Sequence, residues 1–208
     1  MVYVEASVRR PQMITAARRA MARDGVAKTS MRSVAAEAGV PLGTLQYAFR
    51  SKEQLLRAVI EDVVDEITRV LRQSAEGEAG LANAIRSGIQ SFWSTLVAGG
   101  TDLQTMQYEL TTYALRASGQ EGLARWQYER YASVVAEWCQ HAAHVAGETC
   151  TIPFGRLARL IVATVDGLII QYVCDPNPSR SAEDLDAAIA MLVAAAGVRP
   201  AAAPRGSS

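Results

Sequence analysis

Nine residues near the N-terminus have types suited to a polyanion with readable edges: Thr29, Ser30, Arg32, Leu42, Gly43, Thr44, Gln46, Tyr47 and Lys52. Thr44 and Gln46 can hydrogen-bond base edges. Leu42 can touch a thymine methyl, and Gly43 removes a side chain so that backbone can approach closely. The hydroxyls of Thr29, Ser30 and Tyr47 and the cation of Lys52 suit phosphate oxygens, while Arg32 suits a phosphate or a base. Thr29 and Ser30 also stand at a helix start, where free N–H groups favour an anion.

Those residues need a frame. The pattern predicts a helix over 10–23 ended by Asp24-Gly25, and a short helix over 31–38 stopped by Gly39 in a left-handed conformation. A second short helix covers 42–48. Two short helices around a tight glycine-containing turn make a helix-turn-helix, whose second helix enters the major groove. Val34, Ala35 and Ala38 are expected to pack inward, joined by Val40, Leu45 and Phe49. Pro41 precedes the second helix and supplies no hydroxyl cap. Ser33 stands where an acidic capping-box partner is common, which weakens the expected cap at Ser30.

Charge supports the same segment. The whole chain of 208 residues is neutral, with 21 basic and 21 acidic residues. Residues 1–57 hold ten basic and four acidic residues, a balance of +6, and the other 151 hold eleven and seventeen, a balance of −6. A basic head on an acidic body suggests a nucleic-acid-binding part joined to something else.

Beyond the head the periodicity stays helical, with further helices expected over 52–73, 81–97, 103–117, 122–146, 154–174 and 182–196. The fold class is therefore all-α with about nine helices. Residues 1–52 read as a DNA-binding domain and 53–197 as a second domain. Residues 149–153 read as a loop, and the tail from Arg199 as disordered, with 198–208 outside both domains. No apolar run of roughly 18–20 residues is read, so no membrane partner is expected. Cys139, Cys150 and Cys174 lack paired spacing and read as free thiols in the cytoplasm. No nucleophile elbow, Walker loop, dinucleotide fingerprint or zinc-protease motif occurs, so neither an enzyme nor a cofactor is expected.

The block VAAEAGVPLGTLQYAFRSKEQLL, residues 34–56, resembles the DNA-binding signature of the TetR family of bacterial transcriptional regulators. The matching residues are Gly25, Thr29, Arg32, Ala35, the Ala38-Gly39-Val40 turn, Gly43-Thr44-Leu45, Tyr47, Phe49, Ser51-Lys52 and Leu55-Leu56. Gln46 and Ala48 depart from the aromatic and the histidine often found at those positions. The resemblance implies an all-helical homodimer whose C-terminal domain binds a small inducer. It implies a repressor released from a pseudo-palindromic operator. An activator, a ligand-independent DNA-binding protein and, more remotely, a helical ligand carrier or enzyme are the alternatives.

Eight of the 13 aromatic residues lie within 92–138. With the ligand cavity that the resemblance implies, the candidate lining is Phe92, Trp93, Leu96, Met106, Glu109, Tyr113, Trp126, Arg130, Trp138 and Tyr172. Glu137, His141, His144 and Glu148 share one predicted helical face; a solvated stripe is favoured over a metal site, since no cysteine joins them. A dimer interface is expected on the last two helices, through Leu157, Leu160, Ile161, Thr164 and Leu168 and through Leu185, Ile189, Leu192 and Val193. Asp166-Gly167-Leu168 resembles a triplet often found in that helix of the family.

Overall fold

The structure is a computed structural model and describes residues 6–74, 80–98, 100–117 and 121–201. Nine helices are present among the described residues: α1 (Ala6–Asp24), α2 (Met31–Glu37), α3 (Leu42–Ala48), α4 (Lys52–Ser74), α5 (Leu81–Ala98), α6 (Asp102–Arg116), α7 (Glu121–Val145), α8 (Phe154–Cys174) and α9 (Pro178–Ala196). The chain divides into two units, Met1–Glu66 with Gly99–Tyr128, and Ile67–Ala98 with Glu129–Ser208. The expected boundary at 52/53 falls inside the first unit.

The first unit packs α1 against α2 and α6, and α2 against α3. Its core is aliphatic with a single large aromatic in the head: Met21, Leu45, Phe49, Leu55, Leu56 and Ile60 are fully buried. Arg18 ties α1 to α4, donating to Asp62 at 2.6 Å and to Glu66 at 3.0 Å. Arg57 lies over the Trp126 ring at 4.9 Å, joining α4 to α7 within this unit.

In the second unit α9 packs on α8 and α5. Gly88 of α5 carries the Trp138 ring so closely that an added Cβ would lie 2.5 Å from ring carbons. The all-α expectation holds, and one short strand pair is added to the helices. Strand β1 (Glu148–Thr149), with Glu148 expected on a helical face and Thr149 in a loop, pairs antiparallel with β2 (Arg199–Pro200), expected in the disordered tail. The α9 terminus explains the pairing. Gly197 turns left-handed at φ +53°, and the Thr151 amide donates to the Ala196 carbonyl at 2.8 Å, which aligns the two short segments. The rest of the expected tail, 202–208, lies outside the described residues.

One helix boundary shifts by a turn. Helix α9 begins at Pro178, a turn before the expected start, because the Asn177 side chain caps it by accepting from the Arg180 amide at 3.1 Å. Helix α8 is long and apolar enough, by length and composition, to cross a membrane. Arg156, Arg159 and Asp166 interrupt its apolar run, which is why the sequence shows no such stretch. Within its unit, Leu157, Ala158, Ile161 and Ile169 of α8 are buried, whereas Leu160 and Ile170 are exposed.

Candidate nucleic-acid interface

Helices α2 and α3 are short, so their geometry depends on caps and packing more than on propensity. At the start of α2 the Ser30 hydroxyl accepts from the Ser33 amide at 3.1 Å, and the Ser33 hydroxyl accepts from the Ser30 amide at 2.8 Å. This closes a capping box with serine in the place of an acid, so the cap is not weakened as the sequence suggested. At the other end Gly39, at φ +63°, lets its own amide reach Ala36 and the Val40 amide reach Ala35 at 3.0 Å. That paired closure fixes the turn into α3. Pro41 caps α3 through its backbone alone, its carbonyl accepting from the Thr44 amide at 2.9 Å.

Burial separates the two sides of α3. Leu45 is fully buried, and Phe49 just beyond the helix is buried with the Arg10 guanidinium 4.6 Å above its ring. Val34 and Ala35 pack inward from α2, while Ala38 and Val40 are half-buried. On the other side Gly43 and Gln46 are exposed, and Tyr47 is 92% exposed. Leu42 and Thr44 are half-buried, and Ser30 and Arg32 are exposed. Lys28 and Arg50, absent from the sequence-based set, are exposed cations flanking the motif. The basic charge excess of the head was the signal that could have added them.

Two of the expected phosphate ligands, Thr29 and Lys52, turn inward in the structure. Thr29 is 2% exposed, and its hydroxyl donates inward to the Gly25 carbonyl at 2.8 Å. Lys52 is half-buried, and its ammonium donates to the Val26 carbonyl at 2.8 Å while lying 4.7 Å from the Tyr113 ring centroid. Burial pushes the Lys52 ammonium below the usual lysine range. Both groups build the head instead of facing outward.

The aromatic set expected to line a ligand site is divided between the units. Met106, Glu109, Tyr113 and Trp126 belong to the first. Met106 is buried in its core, and the Glu109 carboxylate accepts from the Val26 amide at 2.9 Å. Tyr113 and Trp126 sit beneath Lys52 and Arg57. Phe92, Trp93, Leu96, Arg130, Trp138 and Tyr172 belong to the second unit. There Trp93 and Tyr172 meet edge to face, ring centroids 5.6 Å apart. Trp138 is buried, and its indole N–H has no acceptor among the described residues. Phe92, Arg130 and Tyr172 are half-buried, and Leu96 is buried.

The remaining candidates also sort by burial. Leu157, Ile161, Leu185, Ile189 and Leu192, expected at a dimer interface, are buried in the second unit's own core. Leu160 is exposed, with Thr164, Leu168 and Val193 half-buried. The acidic and histidine face is broken: α7 ends at Val145, and Glu148 lies in β1, accepting from the Leu81 amide at the start of α5 at 2.7 Å. Glu137 accepts from the Ser133 hydroxyl at 2.9 Å.

Comparison with known proteins agrees with the geometry. Residues 13–59 match the family described as bacterial regulatory proteins, tetR family. The chain is 27% identical over 172 residues to the HTH-type nicotine-responsive transcriptional repressor HdnoR of Paenarthrobacter nicotinovorans, covering 83% of this chain and 87% of that protein. It is 31% identical over 94 residues to the HTH-type transcriptional regulator TtgR of Pseudomonas putida, 45% of each chain. Its fold matches the crystal structure of a transcriptional regulator from Rhodococcus sp. Rha1 with a TM-score of 0.68 at 21% identity, over 92% of this chain and 99% of the other.

Proposed function

As a DNA-binding transcriptional regulator, the chain belongs to the TetR family of bacterial regulatory proteins, and we propose that it is a cytoplasmic homodimeric repressor released from its operator by a small apolar or aromatic ligand. The observation that carries the reading is the one-sided burial of α3. Leu45 anchors the helix, while Gly43, Gln46 and Tyr47 stand outward on a short rigid frame. Tyr47, 92% exposed beside a basic segment, stands where its hydroxyl can reach a phosphate of a duplex.

In this reading Thr44 and Gln46 meet base edges, with Leu42 against a thymine methyl and Gly43 allowing close approach. The Tyr47 hydroxyl, Ser30, Arg32, Lys28 and Arg50 hold phosphates and set register. Two copies would present α3 to successive major grooves, with half-sites about one helical turn, ~34–36 Å, apart. The exposed side of α8, with Leu160, Ile170 and half-buried Thr164 and Leu168, supports pairing of copies, together with exposed Met191 of α9.

The ligand belongs to the second unit. Trp93, Tyr172 and Trp138 offer aromatic surface, and the unpartnered Trp138 N–H favours a ligand carrying a hydrogen-bond acceptor. The name of the nicotine-responsive relative supports a small organic ligand of this kind. Release follows only if the ligand binds the DNA-incompetent form better than the competent one. Mobility shifts on the region upstream of its own gene, with and without candidate ligands, test the proposal. A specific shift reversed by a ligand is expected. Affinity that depends on salt but not on sequence would overturn it.

A further inference from the structure

We propose that Glu109 and Lys52 clamp residue Val26 from both sides, one through its N–H and the other through its carbonyl, and so hold the turn into α2 in the shape that operator recognition needs. Both are then positioning residues for DNA recognition rather than DNA contacts. The proposal rests on the operator-binding reading above and adds which side chains hold the head in the binding shape.

Val26 lies in the turn between α1 and α2, with its side chain fully buried. Its N–H donates to the Glu109 carboxylate of α6 at 2.9 Å. Its carbonyl accepts from the Lys52 ammonium at the first residue of α4 at 2.8 Å, and the same ammonium lies 3.4 Å from the Ala27 carbonyl. Lys52 sits 4.7 Å from the ring centroid of Tyr113, four residues beyond Glu109 on α6 and therefore on the same helical face. Two consecutive peptide groups, on either side of the Val26 Cα, thus join α6 and α4 to the turn that leads into α2.

The turn is shaped to accept this clamp. Gly25 has φ +84°, and a Cβ there would come within 3.1 Å of the Glu109 carboxylate. Both the amide and the hydroxyl of Thr29 return to the Gly25 carbonyl, at 3.1 and 2.8 Å. The next residue, Ser30, caps α2, which packs on α3. Displacing α6 would strip the Val26 amide of its acceptor, so α6 and the turn are expected to move together.

The test separates a clamp from ordinary electrostatics. Fluorescence anisotropy is read on a labelled duplex carrying the upstream operator and on a random duplex, over a series of salt concentrations. Glu109→Ala removes a negative charge, which by long-range attraction alone would tighten DNA binding. The clamp predicts instead about tenfold weaker operator binding, the scale of one charge-assisted hydrogen bond. Glu109→Gln keeps an acceptor and should recover most of that loss.

Lys52→Met should weaken operator binding while leaving the salt slope unchanged. A direct phosphate contact would lower that slope by about 0.9. The double variant should be little worse than either single one. Amide exchange on the unsubstituted chain gives an independent reading, with Val26 expected to exchange far more slowly than an open turn amide. Unchanged or tighter binding by Glu109→Ala, a slope reduced by about 0.9 in Lys52→Met, or an unprotected Val26 amide would overturn the clamp. Absence of any operator preference in the unsubstituted chain would instead overturn the operator-binding reading, and the clamp with it.

Discussion

Both units have buried apolar cores and both carry polar links to the backbone, such as Glu148 to the Leu81 amide in the second, but different contacts shape their candidate sites. In the first, directional polar contacts fix the backbone: Ser30 with Ser33, Thr29 with Gly25, Glu109 and Lys52 with Val26, and Arg18 with Asp62 and Glu66. In the second, close packing sets the interior, as where Trp138 lies on Gly88 and Trp93 meets Tyr172 edge to face. Directional bonds specify one geometry, whereas apolar packing accepts changes of shape if volume is conserved. Under the proposed function, a head that matches groove spacing suits the first regime, and a body that takes a small ligand suits the second.

The largest expected effect tests the head as a rigid frame. Phe49→Ala should cost about 3–5 kcal/mol, because a fully buried ring is removed and the Arg10 guanidinium loses the face it covers. Thermal unfolding followed by circular dichroism reads this as a marked fall in Tm. Retention of the original Tm would show that the head core repacks freely, and the contrast between units would fail.

The next tests the body. Gly88→Ala puts a methyl group where the structure leaves 2.5 Å to the Trp138 ring, so the ring or α5 must shift, at a cost of about 1–3 kcal/mol. Tryptophan fluorescence should change with it, since Trp138 is displaced. Operator affinity of the folded variant should stay close to that of the original chain. A specific loss of DNA binding with no loss of stability would show that body packing and head geometry are not separable in this way.

A smaller effect sharpens the head. Ser30→Ala removes the hydroxyl that accepts the Ser33 amide and should cost about 1 kcal/mol. Operator affinity should also fall, because α2 sets the angle of α3 and Ser30 faces outward. Ser33→Ala, which removes the hydroxyl's bonds to the Ser30 amide, carbonyl and hydroxyl but leaves the Ser33 amide capped, should cost less. Chemical denaturation of the two variants gives the ranking, and the reverse order would deny the serine box its role.

The sequence carried the helices well, because apolar periodicity and glycine stops are local signals. Gly39 ends α2, as its place in the turn suggested, and α3 begins at Leu42. What it could not carry was the direction in which a side chain turns. Thr29 and Lys52 have the chemistry of phosphate ligands, but both point back into the head, toward Gly25 and Val26. Glu109 has the chemistry of a ligand-binding carboxylate, yet its partner is a backbone amide 83 residues earlier in the chain. No periodicity encodes such a long-range pairing. The apolar faces of α8 and α9 have the same ambiguity, since intrachain core and subunit interface use the same residue types. Leu157 and Ile161 are buried by their own chain while Leu160 is not.

The smallest expected change in stability is also the sharpest statement about the head. Tyr47 and Phe49 stand two residues apart, one 92% exposed and the other fully buried. Tyr47→Ala should leave unfolding within about 0.5 kcal/mol of the original chain, as for an exposed side chain with no structural role. The same substitution should weaken binding to operator and random duplex alike, because a hydroxyl on phosphate reads no sequence. Thr44→Ala should do the opposite, changing preference at one base position with little effect on random DNA. If Tyr47→Ala alters base preference while Thr44→Ala weakens all duplexes equally, α3 lies in the groove in a different rotation. Phosphate positioning and base reading would then exchange places along the helix.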